Sequence, residues 1–126
     1  MAEATTTQYF RKKLAAYFAG GAVPTRPTYM AFGEGGHNPD GSAKAADDTQ
    51  TALKSELIRI PLDELYQEDL LSVTSRAKLS KTDLVGSDLS EGGVLDADGY
   101  LIGFRNFARK TKDSDEEYEL KLKLKF

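Results

Sequence analysis

The last nine residues of the chain, YELKLKLKF, constrain its fold more than any other stretch. Apolar and charged residues alternate from Tyr118 to Phe126, which is the period of a β-strand with one buried face. Leu120, Leu122 and Leu124 would face a core, whereas the lysines between them would face solvent and discourage unwanted pairing at a sheet edge. The chain is therefore expected to contain a sheet that packs on a hydrophobic core.

Other segments also carry strand signals. Residues 71–79 alternate in the same way and predict a half-buried strand. Asp-Ala-Asp-Gly at 96–99 is a turn sequence between two apolar runs, so residues 92–107 are predicted to form a hairpin. Short strands are also predicted at 28–32 and 57–62, the second ended by a proline.

The N-terminal region predicts one helix, over residues 6–19. The threonines at 5–7 can accept a hydrogen bond from a free first-turn N–H, and Gly20-Gly21 suits the left-handed residue that ends many helices. Basic residues 11–13 lie on one flank, which we interpret as a solvated face; contact with an acidic partner is the alternative. Four apolar side chains share another face: Phe10, Leu14, Tyr17 and Phe18.

These elements predict an α+β fold, a mainly antiparallel β-sheet or sandwich with one N-terminal α-helix packed on it. With 126 residues, of which 40% are hydrophobic, the chain suits a single domain over residues 1–126. Residues 33–47 form a long predicted loop rich in glycine, whereas residues 55–126 are β-rich. Long loops in compact domains are usually functional or flexible, so residues 33–47 are the first candidate for a site.

Composition argues against several functional classes. A net charge of −3 disfavours a nucleic-acid-binding protein, because phosphate binding depends on excess Lys and Arg. The chain has no cysteine, which excludes disulfides, thiolate metal sites and cysteine nucleophiles. No apolar stretch approaches the roughly 18 residues that cross a bilayer. The N-terminus also lacks the features of a signal peptide. We therefore expect no membrane and no nucleic-acid partner.

The sequence contains no recognisable catalytic motif. We therefore predict that the protein is not an enzyme and binds no cofactor. A Ser-His-Asp triad would have to use His37, the only histidine, and nothing resembles the GxSxG turn that exposes a nucleophilic serine. GEGG at 33–36 lacks the lysine and spacing of a phosphate-binding loop. The turn at 96–99 lacks the ligand spacing of an EF-hand. A hydrolase that uses some of the chain's 20 acidic residues stays open as an alternative.

A metal site is not predicted, although one group of residues has suitable chemistry. His37 with Glu34 and Asp40 offers an imidazole and two carboxylates, which bind divalent ions. A single chain would need further ligands that are not nearby in the sequence. A trimer could instead place three copies of His37 around an axis. The simpler interpretation is a solvated loop histidine.

Three stretches stand in order along the chain, TYMAFGEGG, TALKSELIRIPL and LSEGGVLDADGYLIGFRNFARK. They resemble HMAFGDGGG, T-x-L-x-x-E-x-x-R-x-x-L and I-x-E-x-G-L-x-D-x-D-G-x-L-I-A of the N-terminal attachment module in bacteriophage and prophage tail-collar fibre proteins. Tyr29, Glu34 and Val94 depart from that pattern, which has His, Asp and Leu at these places. The matching residues are Met30, Ala31, Phe32, Gly33, Gly35, Gly36, Leu53, Glu56, Arg59, Leu62, Glu91, Gly93, Asp96, Asp98, Gly99, Leu101, Ile102 and Lys110.

The resemblance implies a structural virion protein that docks a tail fibre or spike to the baseplate or collar of a phage tail. The implied partners are other tail and baseplate proteins, a fibre or spike protein, and further copies of the chain, for instance in a trimer. The same module occurs in prophages and in contractile, phage-like injection particles. The resemblance therefore implies synthesis in the host cytoplasm and a final location in the virion tail or such a particle. Family members continue into a long fibre where this chain ends, so an attachment module alone is expected.

Physical roles are also expected for residues in the three stretches. Met30 and Phe32 would be core anchors leading into a loop whose glycines supply backbone freedom. An ion pair between Arg59 and Glu91 is a hypothesis, because the spacing of Glu56 and Arg59 places them on opposite faces of a regular strand; two solvated charges are the alternative. The segment expected to contact a neighbouring subunit or partner consists of Gly33, Glu34, Gly35, Gly36 and His37.

A different function also stays open, that of a small carbohydrate- or ligand-binding β-module without catalysis. Tyr29, Tyr66 and Tyr100 would then line a site together with the 33–47 loop. Aromatic side chains in a cleft with a few polar groups are typical of such sites. This function requires a structure that brings the three rings together.

Overall fold

The structure is a computed structural model that describes residues 2–126, so Met1 of the predicted domain lies outside the described residues. No helix in this part of the chain is long and apolar enough to cross a membrane. The α+β prediction is confirmed, with one short helix and mainly antiparallel strands. In chain order the elements are β1 (Ala2–Glu3), β2 (Thr5–Thr6), α1 (Gln8–Phe18), β3 (Pro27–Gly33), β4 (Glu56–Pro61), β5 (Glu64–Tyr66), β6 (Ser72–Leu79), β7 (Asp88–Asp96), β8 (Leu101–Thr111) and β9 (Tyr118–Lys125).

The strands form two sheets that share one core. One sheet has the order β1-β9-β6-β5 and the other the order β2-β8-β7-β3-β4. All neighbours are antiparallel except β1 and β9, which are parallel. Inward-facing side chains from both sheets pack together, as in a β-sandwich. This central core contains Met30, Phe32, Ala77, Leu79, Leu89, Val94, Ile102, Leu120, Leu122 and Leu124.

The C-terminal segment forms the predicted amphipathic strand, and it occupies an inner position between β1 and β6. Its three inward leucines at 120, 122 and 124 are buried in the central core. The alternating apolar pattern of the sequence includes one residue beyond β9 and one before β6, and neither residue is buried. Phe126 is 56% exposed, and Leu71, expected as the first inward residue of its strand, precedes β6 and is 70% exposed.

The five-stranded sheet is covered on both faces, which strand periodicity alone does not indicate. Its outer face carries a second buried cluster, to which Leu53 contributes from the segment between β3 and β4. Residues 89–96 of the central strand β7 are all buried for this reason. A strand buried on both sides has no polar face to alternate with an apolar one. The members of this outer cluster are Ala31, Leu53, Leu95, Leu101 and Phe104.

Helix α1 lies within the predicted residues 6–19 and uses the predicted start and stop residues, but it packs only in part. The hydroxyl of Thr7 accepts the Phe10 N–H at 3.3 Å, and Gly20, with φ of +99°, follows the C-cap. Phe10 packs against the central core. No residue of α1 is fully buried, and Phe18 is 81% exposed. The apolar face predicted for this helix is therefore left largely uncovered within residues 2–126.

Candidate functional site

The candidate site is centred on Glu91, a fully buried carboxylate in β7. Its Oε1 accepts the Ser55 N–H at 2.8 Å, and its Oε2 accepts the Lys54 N–H at 3.2 Å. A buried carboxylate needs hydrogen-bond donors, because burial removes the water that would otherwise stabilise its charge. Glu91 therefore ties the end of the segment between β3 and β4 to the centre of the sheet.

The first two glycines of GEGG lie against this carboxylate. A Cβ on Gly33 would stand 2.5 Å from Oε1 of Glu91, and a Cβ on Gly35 would stand 3.1 Å from the same atom and 2.7 Å from the Cβ of Lys54. Neither glycine has a positive φ. The expectation that these glycines supply backbone freedom is therefore wrong. Glycine is required at both positions because the chain passes too close to Glu91 to leave room for a side chain.

The third glycine of the motif contacts Ser90, the residue beside Glu91. The Gly36 N–H donates to Oγ of Ser90 at 2.9 Å, and a Cβ on Gly36 would clash with the carbonyl of Ser90. The same Oγ lies 2.7 Å from Nδ1 of His37. Because Ser90 is fully buried, this Ser–His pair anchors the loop and presents no hydroxyl to a substrate. No sequence motif singled out Ser90, apart from its place next to a matched glutamate.

The loop beyond these anchors is folded onto β8. His37 and Ala43 form an isolated β-bridge, and the Arg109 N–H of β8 donates to the carbonyl of Gly41 at 2.9 Å. Gly41 has φ of +87° and allows the tight turn at the loop tip. Of the segment expected to contact a partner, Glu34 is exposed and His37 is half-buried, whereas two of the three glycines are buried. Partner contact by this segment stays a prediction.

Two of the three residues suggested for a metal, Asp40 and His37, have other side-chain partners. Asp40 accepts hydrogen bonds from the Oγ and N–H of Ser42, at 2.6 and 3.0 Å, and these bonds lower the pKa of Asp40. His37 is bonded to Ser90. Within residues 2–126 no group of three or more histidine, cysteine, aspartate or glutamate side chains is placed to hold a metal ion.

The proposed ion pair between Arg59 and Glu91 is wrong. A register shift beside Gly33 leaves Leu57 of β4 without a partner residue on β3, which is a β-bulge. The extra residue brings Glu56 and Arg59 to the same face, and Nη2 of Arg59 lies 3.0 Å from Oε1 of Glu56. This pairing raises the pKa of Arg59. A regular strand would have kept these two side chains on opposite faces.

The predicted hairpin turn is confirmed, and it also holds the helix. Asp96 is 4% exposed, and its Oδ1 accepts the N–H groups of Asp98 and Tyr100 at 3.0 and 2.9 Å. Gly99, with φ of +88°, completes the turn between β7 and β8. The other oxygen of Asp96 accepts the hydroxyl of Tyr9 in α1 at 2.8 Å. The Asp-x-Asp-Gly sequence thus joins the hairpin to the start of α1, a role that the turn pattern did not indicate.

Stability is expected to fall as the pH rises from about 10 to about 12 because of Tyr9. Burial, together with the hydrogen bond to Asp96, raises the pKa of Tyr9 from 10.0 to about 12. In this window the unfolded chain has lost the Tyr9 proton and the folded chain keeps it, so deprotonation favours unfolding. In urea unfolding at several pH values, Tyr9→Phe should therefore lose less stability over this window than the wild type. A Tyr9→Phe profile as steep as that of the wild type would contradict this; Tyr17→Phe, at an exposed ring, is the control.

The three tyrosines of the ligand-binding alternative occupy different environments. Tyr29 packs against the outer cluster, Tyr66 lines a groove beside α1, and the ring of Tyr100 lies 5.1 Å from that of Tyr9. The glycine-rich loop contacts β7 and β8 instead. No specific contact therefore favours a ligand site built from the three rings and the loop.

Comparison with protein-family models gives a match that spans the site. The family model for the N-terminal part of phage tail-collar fibre proteins matches residues 1–122. The matched region includes the glycine-rich loop, Glu91 and the turn at 96–99, and it runs into β9. No curated protein matches the chain.

Proposed function

The chain belongs to the phage tail-collar fibre protein family, and from this membership we propose that it docks a tail fibre or spike to the baseplate or collar. Membership gives the chain a structural role in a phage tail, in contact with other tail components. The match over residues 1–122 carries the proposal, because it covers the scaffold and the loop together. A prophage tail and a contractile, phage-like injection particle are both suitable settings.

The architecture supports a role in assembly through surfaces, without catalysis. Ser90 anchors the glycine-rich loop near its start, and Glu91 anchors the end of the segment between β3 and β4. The loop is therefore displayed on a sheet that is buried on both faces. Binding loops on a rigid scaffold are a common way to present a contact surface. Glu34, Pro39 and Asp40 are exposed on this segment and would contact a neighbouring tail subunit. Self-association, for instance as a trimer, belongs to the same proposal.

Replacing Glu34 with arginine is expected to lower incorporation of the chain into tail particles about tenfold, because a reversed charge at a contact opposes binding. Particles assembled with the variant would be purified by density gradient, and the chain and the fibre would be quantified in them. Asp115→Arg is the matched control, since it reverses an exposed acid outside the loop. Particles that carry normal fibres in the complete absence of the chain would overturn the proposed docking.

A further inference from the structure

One end of the sandwich exposes several large apolar side chains, among them Phe18, Leu70 and Phe126. A groove of about 520 Å³ lies between α1 and β5, and we call it the end groove; Leu14, Phe18 and Tyr66 are among its lining residues. Phe126 lines the end groove and also a neighbouring cavity of about 740 Å³, which continues the surface toward the turn before β6. Single exposed apolar residues are ordinary, but a continuous patch of this kind marks an interaction surface.

The helix beside the end groove depends on packing that the single chain does not supply. Helix α1 has 11 residues, and such a short helix is marginal in water without tertiary contacts. Phe10 contacts the core, yet no residue of α1 is fully buried. Leu14, Tyr17 and Phe18 instead line the open groove. An occupant of the groove would therefore cover the face that the apolar periodicity of α1 leaves exposed.

The same end of the molecule carries an apolar projection beside the groove. Leu70 and Leu71 lie in the turn before β6, and they are 90% and 70% exposed. Both residues line the cavity that shares Phe126 with the end groove. We call residues 68–71 the leucine turn. The surface therefore offers an apolar cleft and an apolar projection side by side, which suits contact between two copies of one surface.

The charges at the two features are complementary. Arg26 lines the end groove, and Glu68 stands in the leucine turn. Lys123 pairs with Asp69 at 2.9 Å, and the charge of Glu68 also acts on Lys123 and helps to raise its pKa. Neither Arg26 nor Glu68 has a salt-bridge partner among residues 2–126. A basic group at the cleft and an acidic group at the projection would meet if the leucine turn of one copy entered the groove of another.

We propose that the end groove binds the leucine turn of a second copy of this chain, with Glu68 of one copy beside Arg26 of the other. This contact assigns a surface to the self-association that is part of the proposed function, and it does not depend on docking to the tail. Apolar side chains at the centre and a charged pair at the rim are the usual arrangement of a protein interface. Leu70 and Phe18 are expected to contribute most, because large apolar side chains lose the most water there.

Two apolar-to-polar variants test the contact. Leu70→Asp and Phe18→Gln are each expected to weaken self-association about tenfold or more, measured by sedimentation equilibrium and by light scattering of the purified chain. Both side chains are exposed in the single chain, so circular dichroism should show an unchanged fold. Val85→Asp alters an exposed apolar residue outside the groove and the neighbouring cavity, and it should leave self-association unchanged. A wild-type chain that stays monomeric, or variants that associate like the wild type, would overturn the contact.

A charge exchange tests which groups meet. Arg26→Glu and Glu68→Arg should each weaken self-association, and the double variant should recover most of the loss. Recovery is expected only when the two side chains face each other across the interface. Loss in both single variants without recovery in the double variant would rule out the proposed pairing. Incorporation of the wild-type chain into tail particles separates the two proposals, since a wild-type chain that associates in solution but fails to enter tails would contradict the docking function alone.

Discussion

Replacing Glu91 with alanine is expected to lower the free energy of unfolding by about 3 kcal/mol. The change removes the acceptor for the N–H groups of Lys54 and Ser55, at 3.2 and 2.8 Å. It also opens a hole beside Gly33 and Gly35, which lie against the carboxylate. Urea unfolding followed by circular dichroism would give the difference in free energy.

Two companion variants isolate the cause of this loss. Glu56→Ala removes only the partly exposed pair with Arg59 and should cost no more than about 1 kcal/mol. Glu91→Gln keeps the size of the side chain and one carbonyl acceptor, so its cost should lie between the other two. If Glu91→Ala unfolds at the urea concentration of the wild type, the buried carboxylate does not hold the loop.

The same variant links the fold to the proposed contact surface. Glu91 holds the end of the segment between β3 and β4, so its loss should loosen that segment before it unfolds the sandwich. Amide hydrogen exchange should then accelerate within residues 34–55 more than in β7 or β8. Local opening without global unfolding would show that the rigidity of the loop, and with it the display of Glu34, depends on this one side chain.

Local sequence patterns predicted the helix and strands of this fold, because each pattern depends only on the backbone conformation of neighbouring residues. Period-two alternation located β9 and most of β6, since successive side chains of a strand point to opposite faces. Asp-Ala-Asp-Gly located the hairpin, and Thr7 and Gly20 bracketed the helix. These signals require no knowledge of what packs on the other side of an element. They therefore established the α+β class and the helix to within about two residues at each end.

The site depended on contacts that local patterns do not encode. Glu91 accepts hydrogen bonds from backbone groups 36 and 37 residues away, and no local pattern identifies such partners. The sequence therefore suggested a charged partner, Arg59, instead of the N–H groups of Lys54 and Ser55. A single extra residue in β4 then turned Arg59 toward Glu56. Helical periodicity likewise identified an apolar face on α1 without indicating whether this chain or another covers it.

The second large effect is expected for Gly36→Ala, at about 3 kcal/mol of lost stability. A Cβ at this position would meet the backbone carbonyl of Ser90 and would stand 2.8 Å from Oδ1 of Asn106. Strand β7 cannot move aside easily, because it is hydrogen-bonded to β3 on one side and to β8 on the other. The loop would have to shift instead, which would weaken the bond from the Gly36 N–H to Oγ of Ser90.

A glycine with a different structural role provides the control for this prediction. Gly20 has φ of +99°, and a Cβ added there would have nothing within 4 Å, so Gly20→Ala carries only a backbone penalty of about 1 kcal/mol. Both variants would be compared by urea unfolding. Equal losses would mean that the contact with Ser90 is relieved at little cost, and that close packing does not require a glycine at position 36. A clearly larger loss for Gly36→Ala means that the GEGG sequence is required by close packing against β7, and that substitutions there act on the loop through the scaffold.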